Sequence, residues 1–292
     1  MFAAALSGSA AGQAAASPQH QARDAAPAIP ESLRGHSGQL RAYVAAPAAD
    51  TARTIAAGPS EPPTLIPPVY TFRDSAGGGV FHFITLLPFD RKRDGRVGAY
   101  RVGRWPAERR PARSPQDALP AGFIAVTPEM QSLMISTHFT LGDFLPERDA
   151  QAEVWPKPLV LELRLVDKLE LILTALRDSG IAAPRLRMMS AFRTPNVTLG
   201  GARTALSPDS RHQYGDAADF IVDADGDGRL DDLDRDGRRD LGDARWLVRV
   251  IRAIEAEHPD LVGGIGVYRR DGGNGHFLHV DTRGERARWG LQ

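Results

Sequence analysis

Two stretches of helical periodicity frame this chain. In Pro158–Gly180, "PLVLELRLVDKLELILTALRDSG", and Leu241–Pro259, "LGDARWLVRVIRAIEAEHP", apolar residues recur at helical spacing. The first stretch begins at a proline and ends at a glycine, and Asp243 is placed as the N-cap of the second. Around them lie "LRMMSAFR", "AADFIVD", "GGIGVYRR" and "HFLHVDT", which read as strands. Strands and helices in mixed order predict an α+β fold for the second half.

The first half is patterned differently. From residue 37 to 135, β-like runs such as "LRAYVAA", "VFHFITLLPF", "VGAYRVGRW" and "GFIAVT" alternate with Gly, Pro and Asp. They predict a small β-rich domain of undetermined role, with "DRKRDGRVG" as a hairpin tip. Residues 1–36 are rich in Ala, Pro, Ser and Gln and fit two readings. One is a flexible low-complexity tail; the other is a secretory-signal remnant with "AAA" before Ser17 as the cleavage site. Basic and acidic residues balance at 36 each, which argues against nucleic-acid binding through bulk positive charge. No apolar run reaches the ~18 residues of a membrane-spanning helix, so an integral membrane protein is not expected.

The chain has no cysteine, so any metal must be held by histidine, carboxylate or backbone oxygen. His20, His36, His82 and His258 read as surface or packing residues, and His138 as structural or cleft-lining. His212, His276 and His279 differ, because they sit close to acidic residues in "SRHQYGDAAD" and "GHFLHVD". A zinc hydrolase needs three protein ligands and one open position, and His212, Asp219 and His279 supply two nitrogens and an oxygen. Asp219 lies inside the apolar run "AADFIV", where a carboxylate is costly unless it is paired or metal-bound. A turn cap or an ion pair with one of the many arginines satisfies that demand equally well.

The motifs "SAFRTP", "SRHQYGDAAD" and "GHFLHVD" resemble, in order and spacing, the signature of the zinc D-alanyl-D-alanine carboxypeptidase and murein peptidase family. The pattern SxHxxGxAxD is matched in full by Ser210, His212, Gly215, Ala217 and Asp219. The resemblance covers residue 136 to the C-terminus. It implies a hedgehog-type peptidase fold over 136–292, with a mixed or antiparallel sheet and flanking helices. It implies zinc on His212, Asp219 and His279, and Arg193 as the group that contacts substrate and steadies charge on the attacked carbonyl; the plainer reading of Arg193 is a salt bridge. The position three before the last ligand carries the catalytic group in that family; many members have an acid there, and this chain has His276. Ser210 and Asp281 become supporting residues, with Asp281 orienting His279 or His276. The implied activity is hydrolysis of peptidoglycan stem or cross-link peptides in a periplasmic or extracellular setting. The alternative is a zinc-containing module that binds such peptides without cutting them. One demand is specific: a regular strand would point His276 and His279 to opposite faces, so sharing a site requires a turn or bulge near Gly275 or His276.

The acidic run after Asp219 follows another logic. Asp223, Asp225, Asp227, Gly228, Asp231 and Asp234 match positions 1, 3, 5, 6, 9 and 12 of a calcium loop, with Leu230 at the apolar position 8. A second copy, Asp232, Asp234, Asp236, Gly237, Asp240 and Asp243, overlaps the first. The expectation is a structural calcium insertion over 223–243, against the plainer reading of a solvated acidic loop.

Overall fold

The computed structural model describes residues 35–36, 42–45, 69–73, 80–146, 151–195, 209–270 and 275–291. All but the last two residues of the segment read as a tail or signal remnant lie outside them. The architecture is α+β. Near the N-terminus, β1 (Tyr43–Ala45), β2 (Val69–Arg73) and β3 (Val80–Thr85) form one sheet in the order β1-β3-β2. The short strands β4 (Leu87–Pro88), β5 (Arg96–Val97) and β6 (Tyr100–Arg101) follow, then β7 (Gly122–Val126) and β8 (Lys157–Leu159). The stretch "DRKRDGRVG" turns at the Arg93–Arg96 bridge, but the strands on either side of it do not pair with each other: β4 pairs with β7, and β5 with β6.

The second half is built on helix α1 (Leu163–Asp178), strands β9 (Leu186–Ser190) and β10 (Ala217–Val222), helix α2 (Leu241–Glu257), and strands β11 (Gly264–Arg269), β12 (His276–Asp281) and β13 (Ala287–Trp289). The five strands form one mixed sheet in the order β13-β11-β12-β10-β9. All pairs are antiparallel except β11–β13. Along α1, Leu165, Val166, Leu169, Ile172, Leu173 and Leu176 are buried at helical spacing. Each such side chain contributes about 2 kcal/mol by leaving water. A Schellman motif ends the helix: Gly180, with φ +76°, donates to the Arg177 carbonyl, and Ile181 donates to Leu176.

Two helix boundaries differ from the sequence reading. The first helix starts at Leu163 rather than Pro158, because Lys157–Leu159 pairs antiparallel with β7 and the chain stays extended to Glu162. Periodicity alone does not reveal that distant partner. The second helix is capped by Asp240, whose carboxylate accepts from the Gly242 amide. Asp243 is the third helical residue and reaches back to the Asp240 amide at 2.7 Å, completing a capping box.

The β7–β8 pairing crosses the boundary expected at 135/136, and one cluster of buried apolar side chains runs from Ala42 to Val280. No helix among the described residues is long and apolar enough to cross a membrane.

Candidate metal centre

β10 and β12 lie in register with Asp219 directly opposite His279. His212 arrives from the 3-10 turn Arg211–Tyr214, which ends just before β10. That turn closes on Gly215, with φ +70°, where a Cβ would lie 2.2 Å from the Val160 carbonyl oxygen. Only glycine fits there, because both the backbone conformation and the space exclude a side chain. The first half of the chain buttresses the same turn. Arg211 pairs with Asp216 and Asp117 and donates to the Gln116 carbonyl, and Trp105 Nε1 donates to the Gln213 carbonyl at 2.8 Å.

Three potential ligand atoms converge. His212 Nε2 is 3.2 Å from Asp219 Oδ1 and 3.2 Å from His279 Nδ1, and His279 Nδ1 is 2.8 Å from Asp219 Oδ1. All three residues are buried. Atoms that bind one zinc tetrahedrally at 2.0–2.1 Å are roughly 3.3 Å apart, so the observed edges suit a shared small cation. The outer ring nitrogens support the fit. His212 Nδ1 lies 2.5 Å from the Ala191 carbonyl, which can only accept, so Nδ1 carries the proton and Nε2 offers a lone pair inward. His279 faces a carboxylate through each ring nitrogen, Asp281 at 3.2 Å from Nε2 and Asp219 at 2.8 Å from Nδ1, so Asp281 can hold the Nε2 proton when an ion takes Nδ1. The donor set thus fits a borderline metal such as zinc, with no thiolate required.

The electrostatics are those of a tightly coupled buried group. Burial lowers the pKa of His212. Burial opposes the charge of His279 too, but hydrogen bonds to Asp219 and Asp281 outweigh it and raise its pKa. Burial likewise opposes ionisation of Asp219, yet His212 and His279 hold it well below the usual carboxylate range. Arg193 closes one side. Its Nη2 donates to Asp219 Oδ2 and lies 3.2 Å from His212 Nε2, while its Nε donates to Ser190 Oγ at 2.7 Å. The Arg193 side chain is 17% exposed.

The structure brings His212, Asp219, His279, Arg193 and Asp281 together. Asp281 is further held by Arg283 and by the Gly264 amide at 2.7 Å. Ser210 supplies a backbone carbonyl to the turn, accepting from Gln213. His276 is not brought in. β12 pairs with β11 in unbroken register from His276 to Val280, so His276 and His279 point to opposite faces. The bulge that a shared site requires is absent from 275–281, and burial, with the charge of Arg269, lowers the pKa of His276. His138 is structural, hydrogen-bonded to Glu170 through both its amide and its ring.

Other contributors escape a reading of motifs. Ser190 steadies Arg193, and the Ala191 carbonyl fixes the His212 tautomer. Trp289 packs on His279 with ring centroids 5.2 Å apart. It fits only because Gly266 has no Cβ, which would lie 2.2 Å from the indole. The glycine in "GIGVY" is the one sequence signal for that contact. Behind β12, the buried Lys168 donates to Glu255, Leu261 O and Asp281 O.

The acidic insertion gathers into two groups, Asp223 with Asp225 and Asp231, and Asp232 with Asp234 and Asp243. Both position-6 glycines have positive φ, and both donate to the position-1 carboxylate: Gly228 to Asp223 at 3.0 Å and Gly237 to Asp232 at 2.8 Å. Asp227, Asp236 and Asp240 belong to neither group. Asp227 pairs with Arg239, Asp236 accepts from the Arg238 amide, and Asp240 caps α2.

No family model, no curated protein and no solved structure matches this chain.

Proposed function

We propose that the chain is a zinc-dependent peptidase with a hedgehog-type peptidase fold, acting on peptidoglycan stem or cross-link peptides. The observation that carries the reading is the buried His212–Asp219–His279 triad, with its three converging ligand atoms and an arginine beside it. Zinc bound there would lower the pKa of a water and polarise a peptide carbonyl. His212 and His279 would hold the ion as neutral ligands, and Asp219 would offset one of its charges. Arg193, braced by Ser190, would present its guanidinium to the substrate carbonyl or to a terminal carboxylate.

A groove of about 330 Å³ supports a peptide substrate. It runs along β9 and is lined by Met188, Met189, Ser190 and Ala191 together with Lys157 and Arg185. β9 is an edge strand of its sheet among the described residues. An extended peptide can pair with such an edge, and its path would pass the residues that brace Arg193 and His212. That substrate lies outside the cytoplasmic membrane, so the reading carries a periplasmic or extracellular location with it.

A second reading is a zinc-containing module that binds the peptide without cutting it. The displacement of His276 favours it, because the residue expected to act beside the zinc faces the other side of the strand. Metal analysis and muropeptide turnover together test the first reading. About one zinc per chain is expected, lost in His212→Ala and Asp219→Ala along with activity. Zinc bound stoichiometrically by both variants would overturn the ligand assignment.

A further inference from the structure

The acidic insertion between β10 and α2 holds a feature that hydrogen bonds within it do not explain. The Asp223 side chain is only 1% exposed. Its Oδ2 accepts from Arg187 and from the Gly228 amide. Its Oδ1 is buried with no hydrogen-bond partner. A buried carboxylate oxygen left this way is destabilising unless a cation meets it. Asp225 and Asp231 each bring an oxygen within 4.8 Å of the Asp223 ligand atom.

The ion pairs of this loop show what is missing. Four carboxylates, from Asp223, Asp225, Asp227 and Asp231, face two ion-paired guanidinium groups, from Arg187 and Arg239. An excess of two negative charges remains. Arg239 spans Asp225 at 2.6 Å, Asp227, and Asp231 at 3.9 Å, so its guanidinium stands over the carboxylates that a cation would need. Hard oxygen donors in flexible array suit calcium rather than zinc.

We propose that Asp223, Asp225 and Asp231 bind one calcium ion, and that calcium enters by displacing Arg239 from Asp225 and Asp231. The exchange tightens a loop already tied to its surroundings. Arg187 of β9 holds Asp223, Arg270 at the end of β11 donates to the Gly228 carbonyl, and Arg235 donates to the Ser179 carbonyl at the end of α1. Asp223 follows β10, the strand that carries Asp219, so the ion would brace that strand at its end. This inference does not rest on the zinc reading.

Calorimetric titration of calcium chloride into the full-length, calcium-depleted protein, with zinc present throughout, tests it. The wild type should take up calcium at this loop. Asp223→Asn should weaken binding about tenfold or more, and the exposed Asp225→Asn should do the same without threatening the fold. Arg239→Gln should bind calcium about tenfold more tightly, because the internal competitor is gone. No calcium uptake by the wild type at millimolar concentration would overturn the site. Unchanged or weaker affinity in Arg239→Gln would overturn the exchange.

Discussion

Lys168→Met offers the sharpest test of how the proposed metal centre is held. The ammonium is fully buried in α1 and donates to Glu255 Oε1 at 2.8 Å, Leu261 O at 3.0 Å and Asp281 O at 2.8 Å. Burial lowers its pKa, and Glu255 opposes that shift. Methionine keeps the stem and removes the charge and every one of these hydrogen bonds. Two backbone carbonyls then lose a donor, at about 1 kcal/mol each. Glu255 loses one partner but keeps Arg288 and the Gly263 amide, so its buried charge is not stranded outright. Breaking a buried pair on one side typically costs about 3–5 kcal/mol, and the remaining Arg288 contact points to the lower end. Thermal unfolding should therefore begin about 10 °C lower. Because Lys168 grips the Asp281 carbonyl, and Asp281 backs His279, zinc affinity should fall as well. Glu255→Gln added to Lys168→Met should recover part of the lost stability, since the carboxylate is then neutral. A loss below about 1 kcal/mol by urea unfolding would refute the view that this lysine secures β12.

Other perturbations probe separate parts of the account. Gly266→Ala places a methyl 2.2 Å from the Trp289 ring, so it should destabilise by about 1–3 kcal/mol and change tryptophan emission; an unchanged spectrum and stability would contradict the packing. Burial pushes Asp216 up to about 6 despite its Arg211 pair. Its folded pKa then lies above the unfolded value, so its own contribution to stability is full below about pH 4 and is lost, by roughly 3 kcal/mol, as pH rises through about 6. Asp216→Asn should flatten that slope in urea titrations at several pH values, and a slope that persists would assign it to other groups. Arg193→Ala should leave zinc content unchanged and lower kcat by about 10²–10³-fold; a change confined to KM would make the arginine a binding group only.

Much of the fold was legible because local pattern and tertiary structure agree. β10, β11 and β12 coincide with apolar runs bounded by turn residues, and the helices follow their periodic stripes. Disagreement arises where a remote partner decides. Lys157–Leu159 reads as the start of a helix and becomes a strand because β7 lies beside it. The triad was legible because Asp219 in an apolar strand demands a partner, and the β10–β12 register supplies His279. His276 was misplaced by family spacing, although strand alternation already pointed it away. Ser190, Lys168 and Trp289 carry no local signal of their roles, since each acts on a residue that only folding brings near.

The central claim is that the His212–Asp219–His279 centre cuts cell-wall peptide. Mass spectrometry of a muropeptide mixture incubated with zinc-loaded protein tests it most directly. Discrete hydrolysis products are expected, each a water addition across one peptide bond, absent with Asp219→Ala. Intact muropeptides bound by the zinc-loaded wild type would contradict it and leave the binding module in its place.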